Sequence, residues 1–145
     1  MGKYKFKTQP FDHQRKALED SWSAEFYALF MEMGTGKSKV AIDTMGMLYE
    51  AKELGAVLII APKGVYDNWV KGEIPTHLPD RIERLVVRWT PSTSKKFQEE
   101  MKEIVYQPVD GLKIFVMNVE ALSTPRGTKA AYAFLAKNPA NMVVV

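Results

Sequence analysis

The sequence contains no cysteine and only two histidines among its 145 residues. A chain without thiols has no disulfide framework and no thiolate metal site. The two histidines, His13 and His77, are far apart in the sequence and cannot make a histidine-rich metal site. The composition therefore offers no redox or zinc chemistry.

Long apolar runs are also missing, since none approaches the ~20 residues that a helix needs to cross a bilayer. The first ten residues, MGKYKFKTQP, are polar and basic and lack the apolar core of a secretory signal. We therefore expect a soluble intracellular protein, in the cytoplasm, nucleoid or nucleus, without a membrane partner.

A strong excess of either charge is absent as well. The chain has 20 Lys and Arg against 17 Asp and Glu, a net charge of +3. This balance permits a nucleic-acid partner without requiring one, because clustering on one face matters more than the sum. With 46% hydrophobic residues, the chain is long enough for one core, and we expect residues 1–145 to form a single domain.

The apolar pattern predicts an α/β chain with a mainly parallel sheet. Short apolar runs indicate buried strands, and apolar residues at three- and four-residue spacing indicate helices. The predicted strands cover residues 26–31, 56–61, 84–89, 112–117 and 141–145, and the predicted helices cover residues 11–22, 37–53, 95–106 and 129–137. We also expect a helix after Pro62 that is interrupted near Pro75, a helical turn at residues 120–122 and a loop at residues 124–127. Residues 1–9 are expected to be a loose lead-in or a short edge strand. The strand–helix–strand unit in residues 26–61 is typical of a right-handed βαβ crossover.

Residues 26–43, FYALFMEMGTGKSKVAID, place a glycine turn between a predicted strand and a predicted helix. Glycines let the main chain approach a phosphate closely, and a helix N-terminus offers unpaired N–H donors. In such a turn Lys37 would reach the outer phosphates of a nucleotide, and the Ser38 hydroxyl would bind Mg²⁺. The sequence therefore predicts a nucleoside triphosphate site. A purely structural turn would explain the glycines but not the Lys-Ser pair.

The general phosphate-loop pattern G-x-x-x-x-G-K-[ST] is incomplete here, because Met31 occupies the place of the first glycine. Residues 31–38, MEMGTGKS, instead resemble the first motif of superfamily 2 helicases, in particular the Swi/Snf-like DNA translocases, whose loop typically reads D-E-M-G-x-G-K-T. Met31 replaces the aspartate, and Ser38 keeps the hydroxyl. The resemblance implies a three-layer RecA-like domain with helices on both faces of its sheet. It also implies a catalytic Lys37 and contacts to ATP and Mg²⁺ from Met33, Gly34, Thr35, Gly36, Lys37 and Ser38.

Three further segments resemble motifs of the same family in the family's order. Residues 10–14, PFDHQ, resemble the adenine-reading motif, with Gln14 as the candidate, because an amide offers both a donor and an acceptor to the adenine edge. Residues 58–65, LIIAPKGV, resemble motif Ia, whose loop touches the nucleic-acid backbone and here would use Lys63. Residues 116–122, VMNVEAL, resemble a segment on the nucleic-acid track, which implicates Asn118 and Ser123.

Each of these segments also has a structural interpretation. The helix at residues 11–22 is alternatively an amphipathic packing helix, Pro62 and Lys63 an ordinary strand-ending turn, and Asn118 a cap. We favour a core position for Trp69. We also favour solvated faces over a dedicated binding role for the basic residues Arg81, Arg84, Arg88, Lys95 and Lys96.

The run at residues 141–145, NMVVV, is typical of a central strand, and the sequence ends directly after it. In the resembled family that strand leads into an Asp-Glu pair that holds Mg²⁺ and orients the attacking water, and a second RecA-like domain supplies an arginine. We therefore expect a fold that is cut part-way, with a natural C-terminal strand as the alternative.

The resemblance implies the ATP-binding N-terminal portion of an ATP-dependent translocase or helicase. Its partners would be nucleic acid, with duplex DNA favoured, and the second RecA-like domain of the same polypeptide. Alone, the portion would bind nucleotide but hydrolyse it poorly.

Two other functions stay open. A self-contained small P-loop kinase or nucleotide-binding module would prefer glycine at position 31 and would need a basic lid, which the sequence does not reveal. A non-catalytic nucleic-acid-binding fragment would use the basic faces without nucleotide.

Overall fold

The computed structural model describes residues 4–21 and 37–145, without the side chains of Asp20, Ser21 and Lys37. The predicted strand at residues 26–31 and the glycine turn up to Gly36 lie outside the described residues. None of the helices in the described ranges is long and apolar enough to cross a membrane.

In the described part of the chain, four parallel strands form the sheet in the order β2-β3-β1-β4. The strands are β1 (Ala56–Ala61), β2 (Arg84–Arg88), β3 (Leu112–Asn118) and β4 (Asn141–Val144). The inner strands β1 and β3 are apolar over nearly their whole length, because side chains on both faces of a covered parallel sheet enter a core. Ala61 pairs with Asn118, so the carboxyl ends of these strands lie together at one edge. We call this edge the carboxyl edge.

Helices cover both faces of the sheet. They are α1 (Asp12–Ser21), α2 (Lys37–Glu50), α3 (Tyr66–Asn68), α4 (Ile74–His77), α5 (Lys95–Tyr106) and α6 (Pro125–Lys137). A π-helical turn (Trp69–Glu73) joins α3 to α4, and a 3-10 turn (Val119–Ser123) precedes α6. The chain is therefore α/β, as predicted, and compatible with a three-layer RecA-like architecture.

Alternate residues of the inner strands enter two separate cores. On one face, Val57 and Ile59 of β1 pack with Met45 of α2 in a core that also contains Trp69. The favoured core position of Trp69 is thereby confirmed. On the other face, α5 and α6 pack around a chain of edge-to-face rings, with Phe115 5.5 Å from Phe134 and 6.4 Å from Trp89 between ring centroids.

Two element predictions were wrong for identifiable reasons. Residues 124–127 are not a loop, because Thr124 caps α6 by accepting the Gly127 N–H at 3.0 Å and proline is tolerated in a first helical turn. Helical backbone also runs without a break from Tyr66 to His77. The helix changes from π to α at Ile74, which places Pro75 in the first turn of the α-helical segment. Proline, which has no backbone N–H to donate, is tolerated at that position.

Within the described residues β4 is the last strand of the order and pairs with β1 alone. The central position predicted for this strand stays a prediction, because the predicted strand at residues 26–31 lies outside the described residues. The side chains of β4 alternate between exposed and half-buried, and Val143 is 46% exposed. A β-branched run fits a pleated surface at either place, so the composition could not distinguish an edge strand from a central one.

Residues 4–8, which we call the N-terminal strap, form no strand but are tied to the helical layer by polar contacts. These contacts join the Lys5 carbonyl to Arg81 (2.9 Å), Lys7 to the Pro75 carbonyl (2.7 Å) and Asp80 (2.6 Å), and Thr8 to His77 (2.6 Å) and to Lys39 (2.6 Å). The strap is therefore an anchored segment rather than the predicted loose lead-in or edge strand.

Candidate functional site

The N-terminus of α2 lies at the carboxyl edge of the sheet. Residues 51–55 reverse the chain between α2 and β1, so the helix runs antiparallel to the strand. A 14-residue helix is ~21 Å long and a 6-residue strand ~20 Å, so the start of α2 lies level with the end of β1. In open parallel sheets, ligands bind outside the carboxyl ends of the strands. The position of α2 therefore suits a ligand site.

Ser38 occupies the first turn of α2. Its side chain is half-buried, and its hydroxyl makes no hydrogen bond with the described part of the chain. A hydroxyl beside the N–H groups of a helix N-terminus suits a phosphate and its accompanying cation. Lys37 begins the same helix, although its side chain is not described. Met33, Gly34, Thr35 and Gly36 lie outside the described residues, so their predicted contacts stay predictions.

Gln14 has a structural role that the sequence interpretation missed. It is 5% exposed, and its Oε1 accepts the Phe11 N–H at 2.8 Å, as in a capping box. The apolar side of α1 packs on α2, where Leu18 meets Val40 and Met47. The packing interpretation of this helix is therefore correct, while the reading of adenine by Gln14 stays a prediction. Phe11 lies outside this packing at 70% exposed.

Lys63 and Asn118 come together at the carboxyl edge, because they follow or end the paired strands β1 and β3. Glu120, which was not a predicted site residue, lies between them. Its carboxylate accepts the Asn118 Nδ2 hydrogen bond at 3.0 Å. The pKa of Glu120 is lowered first by its own backbone N–H, then by Asn118 and by the backbone and charge of Lys63. Ser123 is exposed at the end of the 3-10 turn that begins after Asn118.

The edge thus combines one exposed cation, one amide and one carboxylate on adjacent loops. Such a set can hold a phosphate at Lys63, although the negative charge of Glu120 weakens the positive potential there. Glu120 belongs to the motif-like segment at residues 116–122, although Asn118 and Ser123 were the site residues predicted from it. Gln14 lies on α1, which packs on α2, whereas Lys63 and Asn118 lie at the ends of β1 and β3.

The three arginines that were interpreted as solvated surface are engaged within the fold. Arg81 donates to both carboxylate oxygens of Glu50, at 2.8 and 2.9 Å. Arg84 donates to backbone carbonyls that include that of Ile82, and Arg88 to Asp67 at 2.5 Å. Lys95 and Lys96 are exposed on α5. Arg84 and Arg88 are half-buried, so the prediction of solvated faces is wrong for these two side chains.

A buried ion pair inside α2 was not predicted. Lys39 Nζ lies 2.8 Å from Asp43 Oδ2, with the two side chains 4% and 1% exposed. Burial raises the pKa of Asp43 to about 6, against the opposing hydrogen bond and charge of Lys39. Because Lys39 also donates to the Thr8 carbonyl, the pair joins the N-terminal strap to the first turns of α2. Lysine and aspartate at i,i+4 spacing usually form a surface pair, so the sequence pattern did not predict that this pair is buried.

A scan of the sequence against models of known protein families and a search of curated proteins both returned no match. The resemblance to superfamily 2 therefore depends on the motif residues alone.

Proposed function

We propose that the chain is the ATP-binding N-terminal portion of an ATP-driven superfamily 2 translocase or helicase that acts on duplex DNA. The observation that carries the proposal is the string at residues 31–38, MEMGTGKS, which runs directly into α2. The start of α2 at the carboxyl edge of a parallel sheet supports this assignment, because polyphosphates bind at such helix N-termini.

The donors at this edge fit a Mg²⁺ ion that the nucleotide itself largely holds. Mg²⁺ typically takes one or two protein oxygens and completes its shell with phosphate oxygens and water. Among the described residues, Ser38 offers a hydroxyl without a competing hydrogen bond, and no group of three acidic or histidine ligands would form a separate cage. Bound MgATP supplies the phosphoryl group whose transfer drives such motors. In this chain Ser38 and Lys37 would bind and orient it.

Nucleic acid would contact the loops that follow β1 and β3. Lys63 would meet a backbone phosphate, and Asn118 and Ser123 would donate hydrogen bonds beside it. These loops share the carboxyl edge with the start of α2. The proposed nucleotide site and the proposed nucleic-acid contacts would therefore lie close together. The adenine would lie near Gln14, and the exposed Phe11 ring offers a planar face to a base.

The decisive experiment is calorimetric titration of the protein with ATP in the presence of Mg²⁺. Saturable binding is expected, and Lys37→Ala should weaken it by about tenfold or more, because a charge-assisted contact to phosphate is lost. Lys95→Ala removes an exposed lysine from α5 on the other face of the sheet and should leave the affinity unchanged. Absence of ATP binding, or equal binding by the Lys37→Ala protein, would refute the proposal.

Two further measurements separate the alternatives. In a longer polypeptide that contains a second RecA-like domain, duplex DNA should stimulate ATP turnover, whereas a kinase would phosphorylate an acceptor without DNA. In this chain, Lys63→Ala should lower the affinity for a labelled duplex, measured by fluorescence anisotropy, while Lys95→Ala should not. Binding of DNA without any binding of ATP would favour the non-catalytic nucleic-acid-binding fragment.

A further inference from the structure

A groove of about 510 Å³ runs between α5 and α6 on the face of the sheet opposite α2. Trp89 and Phe97 form its floor, and Met101, Val105, Ala130 and Ala133 form its apolar walls. Tyr106, which is 61% exposed, stands at its margin. We call this feature the α5–α6 groove.

The lining residues recur at three- and four-residue spacing along both helices. On α5 they include Phe97, Met101 and Val105, and on α6 they include Arg126, Ala130 and Ala133. Each helix leads into a strand of the parallel sheet, so α5 and α6 run in the same direction. The short side chains of Ala130 and Ala133 let another backbone approach closely. The groove therefore has the apolar stripe between two helices that a third helix requires.

The rim of the α5–α6 groove carries only positive charge. Lys102, Arg126 and Lys129 line it, and no carboxylate of the described residues does. Lys102 and Lys129 are exposed, and neither makes a hydrogen bond or an ion pair with the described part of the chain. Arg126 is held in place over the Trp89 ring, at 5.9 Å from its centroid, and donates to the Ser92 carbonyl at 3.0 Å.

The arrangement of charges on the two helices is asymmetric. The three acidic residues of α5, Glu99, Glu100 and Glu103, do not line the groove, and α6 contains no acidic residue. Within the described residues, the lysines of the rim therefore have no carboxylate partner. Such a surface is complementary to a partner that has an apolar stripe flanked by carboxylates.

We propose that the α5–α6 groove docks an acidic amphipathic helix of a protein partner. The apolar side of that helix would lie in the cleft over Ala130 and Ala133, and its Asp or Glu side chains would pair with Lys102 and Lys129. Tyr106 at the margin belongs to a residue type that is enriched among the residues that dominate interface energetics. The groove lies on the face opposite α2, so the inference does not depend on nucleotide binding.

The experiment uses two labelled 14-residue peptides with identical leucine stripes at helical spacing. One peptide carries glutamate on both flanks of the stripe, and the other carries lysine at the same positions. Fluorescence anisotropy should show that the glutamate peptide binds, and that it binds about tenfold or more tightly than the lysine peptide, because three rim cations attract one and repel the other. The preference should shrink as salt is added.

Paired variants locate the binding surface. Lys102→Glu combined with Lys129→Glu should weaken the glutamate peptide by about tenfold or more. Lys95→Glu combined with Lys96→Glu makes the same change of net charge on α5 outside the groove and should change the affinity by less than about twofold. Ala133→Trp should fill the cleft and abolish binding. Circular dichroism checks the fold of each variant, and the lysine pair decides the question if the tryptophan variant does not fold.

Several results would overturn the proposal. They are absence of binding by the glutamate peptide, equal binding of the two peptides, and equal effects of the groove and control lysine pairs. Sedimentation that shows a dimer dissociated by Ala133→Trp would assign the groove to a second copy of the chain instead. Loss of duplex DNA binding in the Lys102→Glu, Lys129→Glu protein, without loss in the control pair, would assign it to nucleic acid.

Discussion

Raising the pH from 4 to 7 should destabilise the protein through one carboxyl group, that of Asp43. This group is 1% exposed, pairs with Lys39 through one oxygen, and has no hydrogen-bond partner within the described residues for the other oxygen. The buried Tyr4 hydroxyl lies close enough to Asp43 for their charges to interact, and burial raises the pKa of Tyr4 as well. Burial therefore disfavours the ionised form of Asp43 more than Lys39 favours it.

The size of the effect follows from the two pKa values of Asp43, about 6 in the folded protein against 3.8 for the ordinary side chain. Between these values the folded protein binds the proton that the unfolded chain has released, so the free energy of unfolding falls as the pH rises. Each pKa unit corresponds to about 1.4 kcal/mol. Integration from pH 4 to pH 7 gives a loss of about 2 kcal/mol.

Urea unfolding followed by tryptophan fluorescence measures this loss, since Trp69 and Trp89 are both buried. Other groups also titrate, so the relevant quantity is the difference in unfolding free energy between wild type and Asp43→Asn. That difference should move by about 2 kcal/mol against the wild type between pH 4 and pH 7. Thr44→Val changes a buried, non-titrating neighbour, so its difference from wild type should not depend on pH. A difference for Asp43→Asn that is flat, or that rises in favour of the wild type, would refute the reasoning.

Three further stability predictions use the same urea assay at pH 7. Tyr4→Phe should stabilise the protein by about 1 kcal/mol, because the hydroxyl is buried with no partner among the described residues, whereas Tyr132→Phe at a 71% exposed site should be neutral. Thr124→Ala should cost about 1 kcal/mol through loss of the α6 cap, and Thr124→Ser, which keeps the hydroxyl, should recover most of it. Gly111→Ala should cost at least about 2 kcal/mol, because φ is +146° and a Cβ would come 2.5 Å from the Glu83 carbonyl oxygen. Gly64→Ala, with nothing within 4 Å of its Cβ, should change stability by less than about 0.5 kcal/mol. Stabilities that do not separate each variant from its control would contradict these assignments.

The bounds of a helix or strand were predicted correctly where nearby residues determine them. β1 extends over Ala56–Ala61 as expected, because an apolar run between Gly55 and Pro62 has clear limits. α5 extends over Lys95–Tyr106 as expected, because Ser94 caps it by accepting the Phe97 N–H at 3.2 Å and its apolar residues keep helical spacing. In both cases the information lies within a few residues of the element.

Features that depend on distant residues were not predictable. The N-terminal strap is held by contacts such as that between the Lys5 carbonyl and Arg81, 76 positions apart. The order of the four described strands is likewise a property of the assembled sheet. No local pattern distinguishes these outcomes, because the same short segment fits a free lead-in or an anchored strap.

The candidate site shows the same division. Motif spacing placed Lys63 and Asn118 at strand ends, and parallel pairing of β1 with β3 then brings them together. Glu120 escaped prediction because its importance comes from the neighbour across the sheet edge. The glycine turn, which carries most of the predicted nucleotide contacts, lies outside the described residues, so there the sequence remains the basis of the interpretation.

The buried pair of Lys39 and Asp43 links two parts of the proposed nucleotide site. Lys39 follows Ser38 directly, and its ammonium holds the Thr8 carbonyl at 2.6 Å. The first turn of α2, which would bind phosphate, therefore also anchors the segment that leads into α1 and Gln14. If the proposed function is correct, loss of Lys39 would disturb the adenine and phosphate contacts together, because both depend on this anchor. Loss of Lys63 would disturb the nucleic-acid contact alone, since that residue lies on a separate loop after β1.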